Sequence, residues 1–140
     1  SSVETARIFE VDPKVAFLSF STKGSAKSDE VTKVSTAVNM MSERNVDFDY
    51  DGELQFDAAY DKSTGEKKAP GSSVAGKANV FIFPDLEAGN IGYKIAQRLG
   101  NFEAVGPILQ GLNQPVNDLS RGCNAEDVYK LALITAGQAL

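Results

Sequence analysis

Short apolar runs alternate along the chain with stretches whose apolar residues recur at helical spacing. The runs are typical of buried strands and predict strands over residues 15–20, 48–56, 78–83 and 103–109. The second of these alternates apolar and polar positions around Asp51-Gly52, which predicts a turn or bulge there. The fourth is interrupted at Gly106-Pro107.

Helical spacing predicts helices over residues 3–10, 29–44, 89–99 and 124–138. Ser28 is placed to cap the second helix. The last helix has Val128, Leu131, Ile134 and Thr135 at core spacing. Residues 61–73 are polar and rich in lysine, serine and glycine, so their composition predicts a surface loop without a domain boundary.

Repeated strand–loop–helix units indicate an α/β fold with a mostly parallel sheet flanked by helices. We expect residues 1–140 to form a single α/β domain, since this length suits one domain and not two. Ligands on such sheets bind beyond the carboxyl ends of the strands. The predicted crevice is therefore lined by the loops over residues 21–28, 84–89 and 111–123.

Composition and charge remove several classes of function. Fourteen basic residues against nineteen acidic ones give a net charge of −5, which argues against nucleic acid or a membrane surface as a partner. Histidine is absent, so the chain cannot contain a Ser-His or Cys-His pair or a histidine-ligated zinc site. The single cysteine, Cys123, excludes an internal disulfide and fits a reducing cytoplasm. No apolar run approaches the roughly 18 residues of a spanning helix.

The loop over residues 111–123 holds the most promising candidate chemistry. Ser120 and Arg121 stand immediately before a predicted helix, whose free N–H groups and positive dipole end favour an anion. The guanidinium of Arg121 suits phosphate, and the hydroxyl of Ser120 is a rotatable donor. The alternative is an ordinary salt bridge from Arg121 to Asp118 or Glu126.

Asp127 and Cys123 each allow two interpretations. Asp127 follows Asn124 at the spacing of a capping box, although a carboxylate beside Arg121 could also act as a base. Cys123 at a helix start could be a nucleophile. A small buried cysteine is the commoner case, and no histidine is present to activate this one.

Two weaker candidates precede this loop. Asn90 and Lys94 lie on one face of the third predicted helix, either as substrate-binding residues in the crevice or as solvated side chains. Residues 22–25, Thr-Lys-Gly-Ser, hint at a phosphate cradle but lack the spacing of a P-loop.

Five sequence blocks together strongly resemble the phosphate acetyltransferase (phosphotransacetylase) family. They are SFSTKGSA at residues 19–26, DGELQFDAA at 51–59, FPDLEAGNIGYK at 83–94, GPILQGL at 106–112 and PVNDLSRGC at 115–123. The resemblance runs in order along nearly the whole chain. It implies transfer of an acetyl group between coenzyme A and inorganic phosphate, with no metal or cofactor in the transfer.

The resemblance also implies roles for single residues. Asp127 matches the family's base, which takes the proton from the coenzyme A thiol. Arg121 matches an arginine that holds the phosphate, and Ser120 a serine that orients the substrate. The implied fold has two α/β domains, is related to the isocitrate and isopropylmalate dehydrogenases, and forms homodimers.

In length the chain departs from the family, whose catalytic proteins are much longer. It resembles their C-terminal portion and has no counterpart of the N-terminal domain, so the isolated chain is expected to be inactive. Two alternatives stay open. One is a phosphate butyryltransferase, although the blocks at residues 83–94 and 115–122 favour acetyl. The other is a non-catalytic module that binds acyl-CoA or phosphate.

Overall fold

The computed structural model describes residues 1–139 as an α/β fold with a three-stranded parallel sheet flanked by helices. The elements are α1 (Ser2–Ile8), β1 (Lys14–Leu18), α2 (Asp29–Ser42), β2 (Asp49–Leu54), α3 (Phe56–Tyr60), α4 (Lys62–Lys68), β3 (Val80–Ile82), α5 (Leu86–Leu99) and α6 (Ala125–Gln138). No helix among the described residues is long and apolar enough to cross a bilayer.

The described chain divides into two compact units. One comprises residues 12–90 and contains the sheet. The other comprises residues 1–11 together with the chain from residue 91 onward, and contains α1 and α6. The single domain over residues 1–140 stays a prediction, and Leu140 lies outside the described residues.

β1 is the central strand and pairs in parallel with β2 on one side and β3 on the other. Ala16 pairs with Asp51, but Leu18 pairs with Leu54, so β2 carries one extra residue. This is the bulge predicted at Asp51-Gly52. A Cβ on Gly52 would lie 2.7 Å from the Cβ of Phe17, which explains why glycine stands in the bulge.

Small residues form most of the core of the sheet-containing unit. The buried cluster consists of Ala16, Leu18, Leu54, Ala59, Ala69, Val74, Ala75 and Ala78. Because alanine lets backbones approach closely, the short helices α3 and α4 pack tightly on each other and α3 contacts β1. On α2, Val31 and Val34 are buried, and Ser28 caps this helix as predicted, its side chain accepting from the N–H of Val31 at 3.2 Å.

The predicted loop over residues 61–73 is wrong, since it contains α4. Asp61 is the N-cap of this helix and accepts from the N–H of Thr64 at 2.8 Å. Lys67 and Lys68 in the last turn complement the helix dipole. The only residue that α4 buries is Gly65, so no apolar periodicity marks the helix in the sequence.

The predicted strand over residues 103–109 is also wrong. The described residues between α5 and α6 form neither helix nor strand. The N–H of Leu109 donates to the side chain of Asn117 at 2.8 Å instead of to a neighbouring strand. The loop over residues 111–123 therefore does not follow a strand of this sheet. On α6, Leu131 is buried as predicted, whereas Val128 is 45% exposed.

Replacing Gly65 by alanine is expected to destabilise the protein by roughly 3 kcal/mol, the upper end of the usual cost of overpacking. The new Cβ would lie 2.6 Å from the nitrogen of Gly76 and 2.8 Å from the carbonyl oxygen of Ala58. Both are backbone atoms, so no flexible side chain can yield. Urea unfolding measures the change, with the exposed Glu66→Ala on the same helix as the control. Equal stability of the two variants would contradict this packing.

Candidate functional site

Ser120 and Arg121 lie on a turn that leads directly into α6. The N–H of Cys123 donates to the carbonyl oxygen of Ser120 at 3.0 Å, and the N–H of Gly122 donates to Ser120 Oγ at 3.2 Å. Both Ser120 and Arg121 are exposed. The turn thus places a hydroxyl and a guanidinium before the N-cap of the helix that carries Asp127.

Arg121 makes no hydrogen bond or ion pair with any residue that the structure describes. The two alternative partners are engaged elsewhere. Asp118 Oδ1 accepts from the N–H of Leu119 at 2.8 Å, and Glu126 pairs with Lys130 at 2.7 Å. The salt-bridge interpretation is therefore wrong, and the guanidinium keeps its five N–H donors available for an anion.

Lys130 holds the acidic side chains near the start of α6. Its ammonium forms ion pairs with Glu103 and Glu126, and these hydrogen bonds, that to Glu103 foremost, raise its pKa. Lys130 is therefore charged throughout the physiological range. Lys130 lies one turn after Glu126 on α6, and the Glu126 carboxylate is paired with Lys130 and not with Arg121.

Asp127 and Asn124 form the predicted capping box. Asn124 Oδ1 accepts from the N–H groups of Glu126 and Asp127 at 2.8 and 3.0 Å, and Asp127 Oδ2 accepts from the N–H of Asn124 at 2.9 Å. A carboxylate has about four lone-pair sites, and the cap uses one of them. The capping role is confirmed, and the other carboxylate oxygen remains available to accept a proton.

Asn90 and Lys94 lie one turn apart on α5, and both are exposed. Lys94 Nζ donates to the hydroxyl of Tyr93 at 2.9 Å and lies 4.7 Å from the centre of that ring. Neither Asn90 nor Lys94 has a described hydrogen bond to Ser120, Arg121 or Asp127. Their substrate-binding roles stay predictions.

The weak phosphate cradle at residues 22–25 already holds a carboxylate. Glu53 Oε1 accepts from the hydroxyl of Ser21 at 3.0 Å and from the N–H of Gly24 at 2.6 Å. Glu53, Ser21 and Thr22 are buried. Because the Ser21 hydroxyl and the Gly24 N–H already bind the carboxyl group of Glu53, the loop is unsuited to an anion. Sequence reasoning missed Glu53, and its only signal was an acidic residue among the apolar positions of β2.

Two open depressions mark the surface. One, of about 270 Å³, is lined by α1, residues 109–115 and Gln138. The other, of about 390 Å³, is lined by Lys23, Asp51 and residues 68–72. Neither of these two depressions is lined by Ser120, Arg121 or Asp127. Ser120 and Arg121 are exposed, and Asp127 is partly buried.

Comparison with known proteins finds close similarity over nearly the whole chain. Residues 1–136 match the family described as "Phosphate acetyl/butaryl transferase". The chain is 71% identical over 139 residues to a phosphate acetyltransferase of Bacillus subtilis, covering 99% of this chain and 43% of the relative.

Solved structures give the same picture. The EutD phosphotransacetylase from Staphylococcus aureus superposes with a TM-score of 0.90 at 64% identity, covering 99% of this chain and 43% of the other. A phosphotransacetylase from Streptococcus pyogenes superposes equally well at 63% identity, with 42% of its chain covered. The chain thus spans less than half the length of the relatives it matches.

Proposed function

The chain belongs to the phosphate acetyl/butyryl transferase family, and we propose that it is part of an enzyme that transfers an acetyl group between coenzyme A and inorganic phosphate. Relatives named phosphate acetyltransferase, at 64–71% identity, support the choice of acetyl. The observation that carries the proposal is the unpaired Arg121 beside Ser120, at the start of the helix that carries Asp127.

In the proposed reaction the Asp127 carboxylate takes the proton from the coenzyme A thiol. The thiolate attacks the carbonyl carbon of acetyl phosphate, a C–S bond forms, and the C–O bond to phosphate breaks. Arg121 holds the leaving phosphate, and the hydroxyl of Ser120 donates to the negative charge that develops in the transition state. No acyl-enzyme is required, which suits a chain without histidine to activate a nucleophile.

The complete site needs more than this chain. We propose that residues 1–140 form most of the second domain of a two-domain fold related to the isocitrate and isopropylmalate dehydrogenases. A first domain would supply further arginines and the other wall of a cleft between the two domains. Asn90 and Lys94 of this chain would contact substrate in that cleft. We further propose a cytoplasmic homodimer.

The test is a chimera of the Bacillus subtilis relative in which this chain replaces the matched region. Coenzyme A thiol release from acetyl-CoA with added phosphate, or with arsenate to pull the reaction forward, is expected in the chimera and absent in the 140-residue chain alone. The unmodified relative is the positive control. Parallel assays with butyryl-CoA compare the two acyl groups, and a faster butyryl reaction would favour the butyryltransferase.

An inactive chimera that folds like the parent would contradict the proposed enzyme. It would favour the alternative function, a module that binds acyl-CoA or phosphate without catalysis. The chain would then have failed to restore activity to a relative that is active with its own matched region. Activity in the isolated chain would show instead that the site is self-contained.

A further inference from the structure

We propose that Asn117 is a positioning residue, which holds the turn with Ser120 and Arg121 in a fixed place relative to Asp127. This inference rests on the proposed function and adds to it a residue that touches neither substrate. It concerns only contacts within the unit that contains α6.

The side-chain amide of Asn117 is fully engaged. Its Oδ1 accepts from the N–H of Leu109 at 2.8 Å. Its Nδ2 donates to Thr135 Oγ1 at 2.8 Å and to Gln138 Oε1 at 2.6 Å, so both amide hydrogens are used. The side chain of Asn117 therefore connects three segments: Leu109 before the loop, the loop itself and the last turns of α6.

No other hydrogen bond joins residues 111–123 to α6 in the described part of the chain. The remaining bonds of this loop are local, those that Leu119, Gly122 and Cys123 donate to residues at most three positions away. Just before the loop, the side chain of Gln110 bonds to Ser2 and Thr5 of α1. Between that point and the N-cap of α6, Asn117 is the hydrogen-bonded anchor.

The segment after Asn117 has a limited reach. The segment starts at Asn117, beside Thr135, and ends at Asn124, at the other end of α6. Between residues 124 and 135 the helix rises about 16 Å, at about 1.5 Å per residue. Seven residue steps span at most about 24 Å when fully extended, and the turn at Ser120 shortens this reach. Ser120 lies three residue steps from Asn117 and so stays within about 11 Å of it, which means that fixing Asn117 limits where Ser120 and Arg121 can lie.

Asn117→Ala tests the inference in the chimera. Because misplacement of substrate-positioning groups by about 1 Å can cost about 10²-fold, we expect kcat/KM for phosphate to fall by roughly 10- to 100-fold. The KM for phosphate should rise and that for coenzyme A should change less, since Arg121 moves with the loop and Asp127 with the helix. A purely structural role would lower the melting temperature without this split.

Two further variants sharpen the result. Asn117→Asp keeps the acceptor for Leu109. The amide of Gln138 can rotate to donate to the new carboxylate, but it then gives up its own 3.5 Å hydrogen bond to the carbonyl oxygen of Leu109, so we expect partial rescue. Thr135→Val removes one partner, and combined with Asn117→Ala it should add little further loss. Asn113→Ala, in the exposed part of the same loop, is the matched control and should leave the kinetic constants unchanged.

Hydrogen exchange on the 140-residue chain gives a readout independent of activity. Asn117→Ala should speed exchange of the Leu109 amide more than 10-fold and leave that of Leu131 on α6 unchanged. Unaltered exchange at Leu109, or an active Asn117→Ala chimera with unchanged constants for phosphate, would overturn the positioning role. An inactive unmodified chimera would overturn the proposed function instead.

Discussion

Asp127→Asn is expected to lower kcat of the chimera by about 10²- to 10⁴-fold, the usual contribution of a general base, with a much smaller change in KM. Asparagine has nearly the same shape but cannot accept a proton from a thiol at neutral pH. The loss should therefore fall on the chemical step and leave substrate binding in place.

The capping box makes this substitution unusually informative. Asparagine retains a side-chain oxygen that can accept from the N–H of Asn124, so the variant should keep the helix start and the melting temperature. Asn124→Ala is the complementary control, because it removes the cap, at a cost of about 1 kcal/mol, and leaves the carboxylate. An unchanged kcat for Asp127→Asn would leave residue 127 as a helix cap alone.

Arg121→Ala is expected to raise KM for both phosphate and acetyl phosphate by roughly 10²-fold. The guanidinium has no competing partner among the described residues, and charge-assisted hydrogen bonds each contribute about 1.5–3 kcal/mol. The KM for coenzyme A should change little. Initial rates over a range of phosphate and acetyl phosphate concentrations provide the measurement.

Arg121→Lys separates charge from shape. Lysine restores the positive charge but not the planar pair of donors, so we expect only partial recovery of phosphate affinity. Normal saturation of the Arg121→Ala variant by phosphate and by acetyl phosphate would remove Arg121 from the phosphate site.

Most elements of the fold could be predicted because their signals are local. β1 and β3 are short apolar runs, α2 has both its cap at Ser28 and an apolar stripe, and the β2 bulge is marked by Asp51-Gly52. Burial follows the sequence pattern less closely: β1 is mostly buried, but β3 is only partly buried, and β2 buries three consecutive residues, Gly52 to Leu54, instead of alternate ones.

The two wrong predictions have opposite causes. α4 was hidden because it buries Gly65 and no large apolar side chain, so its capping signals at Asp61 were the only indication. Residues 103–109 have the composition of a strand but no neighbouring strand. Strand pairing depends on a partner elsewhere in the chain, which composition does not reveal.

The local sequence motif of the candidate site could be predicted, but the long-range hydrogen bonds around it could not. The capping box is a local pattern of four residues, 124–127, and the sequence predicts it correctly. The bonds from Asn117 to Thr135 and Gln138 cross 18 and 21 residues, and the bond from Ser21 to the buried Glu53 crosses 32. Such contacts arise from tertiary packing, and no periodic pattern in the sequence indicates them. The catalytic roles stay predictions.

β3 also bears on how the protein behaves at high concentration. Among the described strands it pairs only with β1, so it is an edge strand of this sheet. Residues 78–83 form an uncharged segment with strong β propensity, the type of sequence that joins edge to edge in aggregates. Lys77 and Pro84-Asp85 flank this segment, which puts charges and a proline where natural sequences place residues that oppose edge-to-edge association.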